Sequence, residues 1–422
     1  MKMKRICLFL AIGLAVFAAC NTEGVSQEPE PIVGPVYPST NLKLTRAEQE
    51  MVSNSNEFAF NLFRQITGSD YTKSYIVSPL SITYALGMLN NGAAGNTQAQ
   101  INEVLGYGST GADSINAFCY KMIKTAPALD SLTKVLIANT IYMNKGYTLK
   151  DGFVNKAKSF YNAEPETRDF HDGETMDVIN KWASDHTERM IDRILDENSF
   201  DPNAVSYLLN AIYFKGTWTY KFDKTKTEDE EFIHAGETLD FIQCPMMRQT
   251  AKLNYAVTDD FQALCLPYGN GSFQMTILLP RIKEGHDSNE LPAVPTADTW
   301  QLLNSNMQQC NVDVKLPRFE TDSDIDLIEV MSALGMPDAF SAEKADFSNF
   351  CNKSTYIGLM KQVAKIKLDE EGSEAAAVTV IGMKRNSSGD GTVRFHANHP
   401  FLYVISEKQT GAIFFIGRYT GY

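Results

Sequence analysis

"EEGSEAAAVTVIGMKRN", residues Glu370 to Asn386, holds three conflicting instructions. Glu374-Ala375-Ala376-Ala377 leans towards helix. Val378-Thr379-Val380-Ile381 is a β-branched run that leans towards strand. Gly382 breaks either pattern, and Met383-Lys384-Arg385 leads into Asn386-Ser387-Ser388-Gly389-Asp390-Gly391, a composition that reads as an exposed loop. The stretch thus sets a ready-made strand beside what reads as an exposed loop. If it becomes a strand with Glu374 facing outward, Ser373, Ala375, Ala377, Thr379, Ile381 and Met383 face inward, and none of these is charged.

The chain around this segment has 422 residues, 44% hydrophobic and 21% charged, which is ample for a large core. Its net charge is -13 and no basic patch stands out, so nucleic acid is not an expected partner. Lys2, Lys4 and Arg5 precede an apolar run from Ile6 to Ala19, the pattern of a signal peptide over residues 1–19. Phe17-Ala18-Ala19-Cys20 resembles a bacterial lipoprotein cleavage box, with Cys20 as the lipidated first residue. Plain secretion after cleavage near Ala19 is the alternative. The first reading places the protein at the outer membrane or cell surface, anchored by lipid only, and the second in the periplasm or outside the cell. Residues 20–42 carry Pro29, Pro31, Pro35 and Pro38 and read as a tether. No later linker divides residues 43–422, which are expected to form one large domain and a monomer. Beyond Cys7 and Cys20 the cysteines are Cys119, Cys244, Cys265, Cys310 and Cys351, an odd set with no C-x-x-C pair, which argues against a disulfide framework or zinc site.

Thr45-Arg46-Ala47-Glu48 is a capping box that opens a helix over 45–67. Ser78-Pro79-Leu80-Ser81 opens another, ending near Asn91-Gly92. Further helices are expected over 96–106 and 177–195. Val135–Tyr142 and Tyr207–Phe214 read as buried strands, and hairpins are expected over 261–279 and 401–417. The sum is an α+β fold with substantial antiparallel sheet.

Catalytic patterns do not assemble. Gly106-Tyr107-Gly108-Ser109-Thr110-Gly111 fits G-x-G-x-x-G, but a helix runs into it where a dinucleotide site needs a strand. There is no G-x-S-x-G, no phosphate loop and no H-E-x-x-H. His396 and His399 read as surface or sheet-end residues, Glu228–Glu231 as a solvated charge run, and Met246-Met247 as packing. No cofactor, metal or catalytic residue is expected.

Five segments outside the opening stretch then fall into one pattern. They are Phe395–Ile405 (FHANHPFLYVI), Ser78–Ile82 with Gly92-Ala93, Asn210–Trp218 (NAIYFKGTW), Leu316–Phe319, and Ala345–Ser348. In order and spacing they resemble the serpin family of serine protease inhibitors, over about residues 45–422. The resemblance implies a single domain of three β-sheets and eight or nine helices, with an exposed reactive loop at about 370–394. Glu370-Glu371-Gly372-Ser373-Glu374-Ala375-Ala376-Ala377 resembles the hinge of an inhibitory member. In that family a protease cuts the loop, becomes trapped as an acyl-enzyme, and is dragged along as the loop inserts into the main sheet. About 14 inserted residues at roughly 3.3 Å each would span some 45 Å.

The resemblance also implies roles for individual residues. Ser78, Ser81 and Asn210 match hydrogen-bonding positions beneath the sheet's opening point, and Gln362 stands where relatives often have a His. Trp218 matches the aromatic at the insertion point, and Arg318 with Glu370 matches a pair at the top of the sheet. For the specificity residue two arguments differ. Family spacing, fourteen beyond Gly372, selects Asn386 and cuts Asn386–Ser387. Chemistry favours Arg385, which suits a trypsin-like pocket, with Lys384 and Met383 as further candidates. The expected partner is a serine protease of trypsin-like type, with some cysteine proteases also in range. The alternative keeps the fold and drops inhibition: a surface lipoprotein that binds a ligand or host protein.

Overall fold

Thr45 opens the first helix as its capping box predicts. Its hydroxyl accepts from Glu48 N at 3.3 Å, and its own N–H donates to the Glu48 carboxylate at 2.6 Å. The computed structural model describes residues 42–68, 70, 72–108, 110–236, 238–282, 292–373 and 391–421. Among these are eight α-helices: α1 Arg46–Thr67, α2 Pro79–Asn90, α3 Gly95–Val104, α4 Ala112–Thr125, α5 Asp151–Tyr161, α6 Thr175–His186, α7 Ala297–Ser305 and α8 Ile328–Leu334. The strands are β1 Tyr75–Val77, β2 Thr133–Asn144, β3 Glu166–Arg168, β4 Ser206–Thr217, β5 Glu228–His234, β6 Asp240–Val257, β7 Phe261–Tyr268, β8 Phe273–Pro280, β9 Gln308–Pro317, β10 Phe319–Asp326, β11 Leu359–Leu368, β12 Gly372–Ser373, β13 Val393–His396, β14 Phe401–Glu407 and β15 Ile413–Tyr419. Residues 34–422 form one compact unit.

The larger hydrogen-bonded sheet runs β1-β15-β14-β8-β7-β6-β9-β13, with β5 also on β6. It holds two of the three expected sheets in one ladder, because β6 is 18 residues long and continues through both. The smaller sheet runs β10-β11-β12-β4-β2-β3. Helix α2 is buried along all 12 residues. It packs against β2 and β4 on one side and β15 on the other, which is why its sequence is apolar all round. β4 is likewise apolar on both faces: Leu208, Ile212 and Phe214 enter the main core, while Tyr207 and Leu209 enter a second core under α6.

Three expectations change. The helix expected over 177–195 stops at His186. Glu188 and Arg189 turn to positive φ (50° and 65°), and Asn180 Oδ1 accepts from Ile194 N and Leu195 N, each at 2.9 Å. Ile191, Ile194 and Leu195 keep helical spacing but reach the second core as an irregular segment. His399 is not a surface residue: it is 6% exposed, and burial pushes its pKa down to about 4. His396 is half-buried and meets Asp313 at 3.1 Å. The acidic run lies on β5 and stays largely solvated, with Glu228, Asp229 and Glu231 exposed, but Glu230 is only partly exposed and accepts from Lys315 at 2.7 Å and from Arg248. Cys119, Cys244, Cys265, Cys310 and Cys351 are free thiols in the structure.

Candidate hinge of the reactive loop and its support

The site lies between β4 and β11, the two central strands of the smaller sheet. They pair directly, in parallel, only from Leu359↔Tyr207 to Val363↔Ala211. Above that point β12 is wedged between them: Ser373 pairs with Leu368 of β11 and with Gly216 of β4, and Gly372 pairs with Thr217. Four positions separate the end of the direct ladder from the wedge, 212–215 on β4 and 364–367 on β11. Gly372 must be glycine: its φ is +150°, and a Cβ there would lie 2.0 Å from Gly216 O.

Beneath the wedge sits Tyr268, fully buried and stacked on Trp218 with ring centroids 4.4 Å apart. Its hydroxyl meets Ser373 Oγ at 2.6 Å. Its ring fills the space over Gly216, where a Cβ would approach it to 2.6 Å. Burial raises the Tyr268 pKa far above the usual phenol range, so the hydroxyl stays protonated.

The turn Asp369–Gly372 joins β11 to β12. Trp218 Nε1 donates to Asp369 O at 2.9 Å, Phe222 N to Glu370 O at 3.0 Å, and Trp218 N to Glu371 O at 2.8 Å. The Glu370 carboxylate, 1% exposed, accepts from Arg318 Nη2 and Thr227 Oγ1, both at 2.6 Å. Burial disfavours the Glu370 charge, but Arg318 and Thr227 outweigh it and hold the pKa below the ordinary glutamate value. Glu371, also buried, accepts from Lys221 Nζ at 2.5 Å and lies 3.4 Å from Lys224 Nζ.

Near the upper end of the direct ladder is a buried amide cluster. Gln362 Nε2 donates to Asn210 Oδ1 at 3.0 Å and to Ser78 O at 3.1 Å, while Gln362 Oε1 accepts from Ser78 N at 2.9 Å. Asn210 Nδ2 donates to Asn139 Oδ1 at 2.7 Å and to Ser81 Oγ. Ser78 Oγ ties the cluster to the larger sheet by donating to Phe414 O at 2.7 Å.

The structure thus brings Ser78, Ser81, Asn210 and Gln362 together in one place, and Trp218, Arg318, Glu370, Glu371, Gly372 and Ser373 in another. Glu374, Ala375, Ala376, Ala377, Met383, Lys384, Arg385, Asn386, Ser387 and Cys20 lie outside the described residues. Sequence reading missed Asn139, Lys221, Lys224, Thr227 and Tyr268. Asn139 carried a signal, a lone amide inside the apolar run Leu136-Ile137-Ala138-Asn139. Tyr268 was hidden by its place before Gly269-Asn270-Gly271, where it reads as a turn residue.

Comparison with known proteins identifies the family. The family model described as Serpin (serine protease inhibitor) matches residues 53–421, and the chain belongs to that family. As a family, serpins inhibit proteases and are not catalysts. Iripin-8 of Ixodes ricinus is 32% identical over 390 residues, covering 89% of this chain and 94% of its own. Serpin B3 of Homo sapiens is 32% identical over 388 residues, covering 87% and 98%. The native-state crystal structure of Tengpin, a thermophilic serpin, superposes with a TM-score of 0.81 at 26% identity, covering 92% of this chain and 97% of Tengpin.

Gln362→Leu removes three hydrogen bonds and orphans Ser78 N and Asn210 Oδ1 in the core, while Ser78 O keeps its bond from Ile82 N. A loss of about 1–3 kcal/mol is expected for leaving such a group unpaired. It should appear as a lower urea midpoint with an unchanged slope; an unaltered midpoint would mean that water replaces the amide at no cost.

Proposed function

We propose that this serpin is a suicide-substrate inhibitor of trypsin-like serine endopeptidases, which traps the acyl-enzyme by inserting its cleaved loop between β4 and β11. One observation carries the reading: two hinge residues, Gly372 and Ser373, are already seated between those strands, in register. Extending that register places 374–377 against 215–212 and 367–364, the positions between the wedge and the direct ladder. From Val378 onward the loop would replace the β4–β11 ladder itself. Ser373 faces inward onto Tyr268, so Ala375, Ala377, Thr379 and Ile381 inherit the inward parity. Thr379, the one polar residue of these four, would arrive between Asn210 and Gln362. Glu374 would point outward between Lys215 and Lys367.

Arg385 is the preferred specificity residue, because a guanidinium forms a bidentate, charge-assisted pair with an acid at the base of a trypsin-like pocket. The N-terminal signal and the Ala18-Ala19-Cys20 sequence support export and lipid anchoring through Cys20.

Mixed with trypsin, the protein is expected to give a complex that survives boiling in detergent. Mass spectrometry of the released C-terminal fragment should find Asn386 at its start. Ser387 there would transfer the role to Asn386, and cleavage without any complex would leave a substrate or binding protein. Ser373→Arg, which puts a charge on the face that enters the core, should be cut at wild-type rate yet trap almost no protease; undiminished trapping would refute insertion. When the full-length chain is expressed with its signal, Cys20→Ala should move it from the membrane to the soluble fraction. Retention in the membrane would refute the anchor.

A further inference from the structure

The Asp369–Gly372 turn is held by more than its own chemistry explains. Asp369 N donates to Gly372 O at 2.9 Å and Gly372 N to Asp369 O at 3.3 Å, which makes it a two-residue hairpin turn with Glu370 and Glu371 at its centre. Such turns favour Gly, Asn or Asp in left-handed backbone at the centre. Neither Glu370 nor Glu371 has positive φ; in this turn only Gly372 does. Three consecutive carboxylates also crowd it. Asp369 Oδ1 accepts from Glu371 N at 2.8 Å, Glu370 is neutralised by Arg318, and Glu371 by Lys221 and Lys224. With negative φ at both centres the turn is not one of the primed types that match strand twist best, so the ion pairs add hold that its backbone geometry does not supply.

A latch against insertion would hold a shape that insertion has to break. This clamp holds one that insertion keeps. Ser373 already sits opposite Leu368, so further insertion adds Lys367 opposite residue 374 and continues down the strand without reshaping the turn. The turn is the closed end of the hairpin that the inserted loop would complete.

We infer that Glu371, held by Lys221 and Lys224, is a positioning residue: it keeps the turn closed so that the cut loop zips into the sheet from a preformed end. The inference rests on the inhibitor reading and gives it a rate-setting contact. Because hydrolysis of the acyl-enzyme competes with insertion, a slower start shifts the outcome from trapped protease to wasted, cleaved inhibitor. The cleavage step itself, at a bond well along the sequence from Glu371, is untouched. Lys224 is half-exposed, so salt screens part of the clamp.

The test titrates trypsin with the full-length protein and with Glu371→Gln, Lys221→Gln/Lys224→Gln and Lys221→Arg. The first two should need about fivefold more inhibitor per protease blocked, with the second-order rate of loop cleavage unchanged. Lys221→Arg should stay near wild type. Raising ionic strength should worsen the wild-type ratio and leave that of Glu371→Gln flat. Lys224→Gln alone, at a half-exposed position, should show a smaller shift in the same direction if the stronger variants misfold. A ratio that stays constant, or improves, in Glu371→Gln overturns the inference. A parallel measurement does not need the protease trap. The loop is cut with the metalloprotease thermolysin, and insertion is followed by tryptophan fluorescence, since Trp218 contacts the turn. Slower insertion in Glu371→Gln supports the inference even if trypsin forms no complex with the wild type, an outcome that would count only against the inhibitor reading. Equal rates overturn it.

Discussion

The placement of Ser373 between Leu368 and Gly216 is the contact on which the upper half of the smaller sheet depends. Two central strands that should pair along their length are held apart at one end by a two-residue strand. That wedge is possible because Gly216 leaves room for the Tyr268 ring and Gly372 lets the backbone pass 216 closely. Trp218 then supports the arrangement from two directions, stacking on Tyr268 and donating to the turn from backbone and indole nitrogens. A side chain at either glycine would close the gap or push the hinge out.

Below the wedge the balance is different. The ladder from Tyr207 to Ala211 lies under α6 and its following segment, in a small apolar core that includes Tyr207, Leu209 and Leu359. Each ladder hydrogen bond is worth only about 1 kcal/mol net, so exchanging a β4–β11 pair for two pairs with an inserted strand gains on both sides. In the proposed insertion, the cover above the ladder and the amide cluster of Asn210 and Gln362 would resist the exchange, since the cluster would have to part. A polar residue arriving at that level would restore what the cluster loses, and the extended register would deliver Thr379 there. At the other end of the loop, β13 is fixed to β9, so an uncut loop would have to release that strand before it could insert as far.

Much of this was legible in the sequence, for identifiable reasons. α1 and α2 announce themselves by caps, and β4 by an apolar run, interrupted only by Asn210, that burial on both faces permits. Glu370 with Arg318, and Gln362 with Asn210 and Ser78, could be named because family spacing aligned them before any geometry existed. The failures share a cause. Ile191, Ile194 and Leu195 keep helical spacing in a segment that is not helical, because Asn180 satisfies its amides from the side. Tyr268, Lys221 and Lys224 act through residues more than 100 positions away in the chain, and no local pattern encodes such pairs. His399 looks like a polar residue at a strand end until the fold buries it.

Hydrogen exchange on β11 tests the central claim most directly. In the intact protein, those amides of 364–367 that point away from β10 lie between the wedge and the direct ladder, with no described pairing to β4. After cleavage of the loop at Arg385 or Asn386 the account predicts that they become strongly protected, together with the newly inserted 374–382, while the rest of β11 stays as slow as before. Exchange in 364–367 that is unchanged by cleavage would show that the loop does not enter the sheet, and would contradict the account.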